Sequence, residues 1–162
     1  MFRRTLLIAA MVITPAGLVA AAASGAAAAA LPGKAPAACS GVIEITRLAF
    51  HPPGVSPGHL STARLTAVNC TGASQHTSEV WSGRFAGPGT AIPPGCPAID
   101  PISLATNFAP HGHVSSHVGY TVPQSCTATK LRVTVKIDKN GSVLASRTAT
   151  LKIIQPSPAA AR

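Results

Sequence analysis

The chain has 162 residues, with 13 Lys and Arg against four Asp and Glu and a formal net charge of +9. Acids that few, scattered over four segments, leave no close carboxylate pair of the kind glycoside hydrolysis uses, and no G-x-S-x-G, H-E-x-x-H or phosphate loop supplies another enzyme signature. The composition points away from an enzyme and toward anionic partners, although ordinary solubility also accounts for such a charge.

Arg3 and Arg4 open the chain, and Thr5 to Ala30 carries no charge. Leu6 to Ile13 is the most apolar part, small residues follow, and Ala28-Ala29-Ala30 is one of several candidate cleavage motifs. That order predicts a secretory signal peptide over 1–30 and a secreted, extracellular protein. An uncleaved anchor is the rival, since the uncharged run is long enough to span a bilayer. Alanine partitions weakly into lipid, however, and Pro15 and Gly17 interrupt the run, so no stable membrane insertion is expected after cleavage. Residues 31–38 read as a linker, 39–154 as one domain and 155–162 as a disordered Pro/Ala-rich tail.

Within the domain, short alternating runs are divided by Pro, Gly and Ser, the pattern of an all-β sandwich or barrel. The first strand, 41–50, ends at His51-Pro52-Pro53-Gly54, which a strand interior does not tolerate. The second, 60–70, turns Ala63, Leu65 and Ala67 one way and Thr62, Arg64 and Thr66 the other. The third, 76–86, carries Trp81 and Phe85 on one face, and a turn-rich stretch from Gly87 to Pro97 leads to a fourth near 100–108. The fifth, 113–122, sets Val114, Val118, Tyr120 and Val122 against polar neighbours. In the sixth, Leu131, Val133, Val135 and Ile137 alternate with Lys130, Arg132, Thr134 and Lys136, giving one oily and one basic face. Asn140-Gly141 supplies a hairpin turn. The seventh strand, 142–154, points Ala149, Leu151 and Ile153 inward; Arg147 shares their parity, which predicts either a bulge there or a local misassignment of the strand.

Seven antiparallel strands also order the cysteines. Cys39 starts at one end of the fold, and the second strand returns Cys70 to it. Cys96 and Cys126 fall at the opposite end. A ten-residue strand spans roughly 33 Å, whereas bonded cysteines have Cα atoms about 6 Å apart. The pairing Cys39–Cys70 and Cys96–Cys126 follows. Gaps of 31, 26 and 30 residues hold no C-x2-C pair, which speaks against a zinc or redox site on these thiols.

Two stretches resemble bacterial immunoglobulin-like domains of the cell-adhesion-related (CARDB) and NPCBM-associated type: Val55-Ser56-Pro57-Gly58 into LSTARLTAVNCTG, and Phe108-Ala109-Pro110-His111-Gly112 into HVSSHVGYTVP. His111 stands where that family uses small residues, and the four cysteines are an addition. The resemblance implies a seven-stranded immunoglobulin/fibronectin-III-like antiparallel sandwich used as an extracellular adhesion, spacing or carbohydrate-associated module. It transfers no catalytic residue.

Three clusters are candidates for chemistry. Lys130, Arg132 and Lys136, with Lys152 on the neighbouring strand, form a basic stripe suited to an anionic cell-wall polymer or a protein partner. Nucleic acid is not expected, because aromatic residues are not interleaved with these charges. His111 and His113, joined by His76 from the same end of the fold, make a zinc or copper site the alternative reading; solvent-facing polar residues are the plainer one. Trp81 and Phe85 are either a sugar-stacking patch or, more simply, core. The expectation is a monomeric, non-enzymatic envelope or extracellular binding module without a cofactor. A protease inhibitor presenting the loop from Gly87 to Pro97 is a further alternative.

Overall fold

A computed structural model describes residues 39–89 and 91–156. The leader over 1–30, the linker over 31–38 and tail positions 157–162 lie outside the described residues. All regular structure within them is strand: β1 (Ile43–His51), β2 (Gly54–Val55), β3 (Leu60–Asn69), β4 (Gln75–Ala86), β5 (Ile102–Phe108), β6 (His113–Thr121), β7 (Lys130–Lys139) and β8 (Ser142–Ile153). Among the described residues no helix is long and apolar enough to cross a membrane.

The strands form a three-stranded sheet, β1-β3-β6, and a five-stranded sheet, β2-β8-β7-β4-β5. Period-two alternation decides which residues enter the core. The first sheet contributes Ile43, Ile45, Leu48, Phe50, Ala63, Leu65, Ala67 and Tyr120; the second contributes Trp81, Phe85, Leu131, Val133, Val135, Ile137, Leu151 and Ile153. Each large apolar side chain so buried stabilises the fold by about 1.5–3 kcal/mol. The Tyr120 ring meets Phe50 edge-on at 6.0 Å. Its buried hydroxyl has no hydrogen-bond partner among the described residues, and burial pushes its pKa up from 10.0 to about 12.

Among the described residues the strand count is eight, not seven. After Pro52-Pro53 the chain crosses to the second sheet, and β2 pairs parallel with β8 through Gly54–Lys152 and Val55–Ile153. Lys152 N–H donates to Pro53 O and Ile154 N–H to Val55 O. Two residues carry no alternation, so the strand left no periodic trace.

Arg147 stands in register with Val135, a core position, yet it is exposed. The register shift lies between Ile137 and Asp138, rather than at Arg147 itself. The guanidinium reaches across to β1, where Nη1 donates to Ile45 O at 2.7 Å and Thr46 O at 2.9 Å. Those carbonyls belong to a second irregularity, a bulge between Ile45 and Arg47, so an arginine at the sandwich margin satisfies backbone acceptors at the bulge. The β7–β8 hairpin turns through Asn140 and Gly141 at φ 53° and 81°, and Asp138 Oδ1 accepts from Gly141 N–H at 2.8 Å. Positive φ at both central positions is what an Asn-Gly hairpin turn requires.

Disulfides join Cys39 to Cys70 and Cys96 to Cys126, with Cα separations of 5.8 and 4.4 Å. The first ties the approach to β1 to the end of β3. The second ties the β4–β5 connection to the β6–β7 connection at the opposite end, where Gln155 donates to the carbonyls of Cys126 and Ala128. Each closes a loop of about 31 residues, worth about 3–4 kcal/mol in the chain-entropy account.

Candidate anion-binding face

On β7 the inward residues are apolar, so Lys130, Arg132 and Lys136 are forced onto the outer face of the five-stranded sheet, and all three are exposed. Arg132 lies between Arg84 on β4 and Thr150 on β8. Lys130, one row along, lies between Ala86 and Lys152. Two like-charge cross-strand pairs, Arg84–Arg132 and Lys130–Lys152, are therefore adjacent, about 7 Å apart along the strands. Like charges placed opposite one another destabilise a sheet. Neither row contains an acid. Arg84, Lys130 and Arg132 line a cleft of about 380 Å³ closed by Ala86, Gly87 and Ala91.

Lys136 stands apart. It is four residues from Arg132, roughly 13 Å along the strand, and pairs with Val80 and Ser146. Thr134 and Thr148 fill the row between, with their hydroxyls 2.8 Å apart. The sequence-derived stripe thus separates into a cluster of Lys130, Arg132 and Lys152 and a detached Lys136. Arg84 completes the cluster. Its even parity with Ser82, against Trp81 and Phe85, was the signal that could have found it.

His76, His111 and His113 do not converge. His76 is on the outer face of the five-stranded sheet, with Nδ1 2.7 Å from Asn107 Oδ1. His113 is exposed in β6 of the other sheet, opposite Val68, and His111 occupies the β5–β6 turn at φ 52°. Two outward faces of a sandwich are separated by its whole thickness, so no ion can bridge them. Among the described residues, the one group of His, Cys, Asp and Glu atoms close enough to hold an ion is Cys39, Glu44 and Cys70. Its sulfurs are bonded to each other, which leaves no thiolate to ligate.

Trp81 and Phe85 are core residues, 0% and 2% exposed, so they offer no ring to a sugar. Beside them is a group that sequence reasoning missed. Glu79 is 0% exposed; its Oε2 accepts from Trp81 Nε1–H at 3.0 Å and from the Ser116 hydroxyl at 2.6 Å. Its Oε1 has no partner among the described residues. Trp81 belongs to one sheet and Ser116 to the other, so one carboxyl group is bonded from both layers. Glu79 shares the odd parity of Trp81 and Phe85, which was the sign of its burial.

No family model matches the chain, and no curated protein does. Among solved structures, the alkylpurine DNA glycosylase AlkC of Pseudomonas fluorescens, bound to DNA containing an abasic-site analogue, matches with a TM-score of 0.50 at 14% identity over 70% of this chain. A cycloisomaltooligosaccharide glucanotransferase of a Paenibacillus species matches with a TM-score of 0.50 at 12% identity over 68%. The sporulation control protein Spo0M of Bacillus subtilis has a TM-score of 0.47 at 12% identity, over 73% of this chain and 51% of its own. The chain spans 30% of the glycosylase and 14% of the glucanotransferase. At such identities the first two show a common fold and nothing of its chemistry.

Proposed function

We propose that this chain is an exported, non-enzymatic immunoglobulin-like binding module of the bacterial envelope or exterior, holding anionic groups of a wall polymer on the face formed by Arg84, Lys130, Arg132 and Lys152. One observation carries the reading: the two adjacent like-charge cross-strand pairs. A sheet selected for stability alone would set acids or hydroxyls across from these cations. An anion placed between the rows relieves the repulsion and gains charge-assisted hydrogen bonds. The two disulfides suit an oxidising compartment, and the resemblance to adhesion-type domains points the same way.

The test is retention of the mature domain on cell-wall fractions at low and high salt. Retention falls with salt, because exposed charges are screened beyond about 8 Å at physiological ionic strength. Combined Lys130→Glu, Arg132→Glu and Lys152→Glu substitutions abolish it, whereas Lys136→Glu alone leaves most of it. Retention indifferent to salt and to the triple reversal refutes the proposal.

A further inference from the structure

The opposite outer face, on the three-stranded sheet, carries a second basic concavity. The bulge at Thr46 reverses the parity of β1, so that Ile43 and Ile45 enter the core but Arg47, Ala49 and His51 face out. Arg47 then forms a row with Thr66 of β3 and Ser115 of β6, and Ala49 forms the next row with Arg64 and His117. Directly paired side chains in such rows are about 5 Å apart at Cβ, and diagonal neighbours about 7–8 Å apart. Arg47 and Arg64 are diagonal neighbours, which brings both guanidinium groups within reach of one small ligand. Ala49 offers only a methyl group beside them, and a groove of about 560 Å³ opens there, lined by Arg47, Arg64, Thr66, Ser115 and His117.

Three features set this groove apart from an ordinary solvated face. Its cations are unspent: among the described residues neither Arg47 nor Arg64 has an ion pair or a side-chain hydrogen bond. Arg147, by contrast, is occupied by backbone carbonyls, and Lys139 by Gln75 Oε1. The acid nearest in register, Glu44 opposite Val68, comes within 4.8 Å of both sulfurs of the Cys39–Cys70 bond and pairs with neither arginine. Finally, the polar side chains lining the groove are guanidinium, imidazole and hydroxyl groups, with no carboxylate or carboxamide among them.

We infer that this groove is a binding site for a phosphate-class oxyanion, held by Arg47 and Arg64 with Thr66, Ser115 and His117 completing the donor set. Two planar forks and two hydroxyls match a group that accepts on three or four oxygens. A neutral sugar needs acceptors as well as donors, which these side chains supply poorly, and a carboxylate leaves half of the donors unused. The site stands on different residues from the Lys130 cluster and on the other sheet, so either can exist without the other. If both hold, the domain carries anion sites back to back.

The experiment is a titration of the oxidised mature domain with inorganic phosphate, sodium polyphosphate and sodium acetate at constant ionic strength, followed by amide chemical shifts. Saturable shifts at Arg47, Arg64, Thr66, Ser115 and His117 are expected with phosphate or polyphosphate. Whichever binds more tightly distinguishes a free anion from a chain-borne one. Arg47→Gln and Arg64→Gln each weaken binding by about tenfold, the loss of one charge-assisted contact, while Arg64→Lys retains part of it. Lys130→Glu with Arg132→Glu leaves the shifts at this groove in place, which separates the two sites. Non-saturating shifts of equal size with acetate, or unchanged binding in the Gln variants with the native shift pattern retained, overturn the inference.

Discussion

Removing the Glu79 carboxyl group isolates the polar link between the sheets. In Glu79→Ala the Trp81 indole N–H, at a fully buried residue, loses its acceptor, and an unsatisfied buried donor costs about 1–3 kcal/mol. The Ser116 hydroxyl loses a 2.6 Å contact, and the deleted atoms leave a void whose lining forfeits dispersion contacts. Against this stands relief of a buried carboxyl oxygen, Oε1, that has no partner. The balance is a loss of about 2–4 kcal/mol, a large part of the stability of a domain this size. Glu79→Gln keeps an acceptor for both donors but sets an amide where Oε1 has no partner, so it costs less than the alanine variant without matching the parent. Equilibrium denaturation of the oxidised protein, read by the fluorescence of its single tryptophan, separates the two variants. An alanine variant within about 0.5 kcal/mol of the parent, or a glutamine variant as damaged as the alanine one, would refute the reasoning.

Three other outcomes are expected. The Tyr120 phenol is pushed up to about 12 in the folded protein, against 10.0 for a free phenol. Above pH 10 the unfolded chain therefore ionises while the native one keeps its proton: this contribution to stability is fully present below pH 10 and is lost progressively as the pH rises toward 12. Phenolate absorbance, in a chain with one tyrosine, reads the ionisation, and Tyr120→Phe removes this share of alkaline sensitivity. Arg147→Met strips the donors from the carbonyls of Ile45 and Thr46; it lowers stability by about 1–2 kcal/mol, less than a buried contact because the residue is exposed, and speeds amide exchange along β1. His111→Gly places at φ 52° the residue suited to it and raises the melting temperature, a gain of up to about 1 kcal/mol; a lower melting temperature shows that the imidazole is needed there.

The alternating strands were legible because each has one apolar face: β7 and its Asn-Gly turn could be read from Lys130 to Gly141 without any tertiary information. What was illegible depended on departures from alternation. In β1 the apolar parity changes from Ile43 and Ile45 to Leu48 and Phe50, and an unbroken alternation would place Arg47 inside. Only a bulge reconciles the two halves, and that bulge brings Arg47 to the groove. Arg147 looked like an error in an otherwise regular strand; it is instead the group that satisfies the bulged carbonyls one layer away. Arg84 was visible only as part of an aromatic segment, because its meaning lies in the residue across from it. The histidines failed as a set for a related reason. Their common end of the fold was legible, but the faces on which they lie follow from which strands share a sheet.

The chain enters this domain beside Cys39 and leaves it beside Gln155, at opposite tips. A pull applied between those points runs lengthwise along the first and last long strands, which lie next to each other at the margin where Arg147 crosses. The Cys39–Cys70 bond keeps β1 from sliding on β3, so the load falls on β8, whose ladder with β7 is sheared as a unit instead of being unzipped one bond at a time, and the domain should yield abruptly.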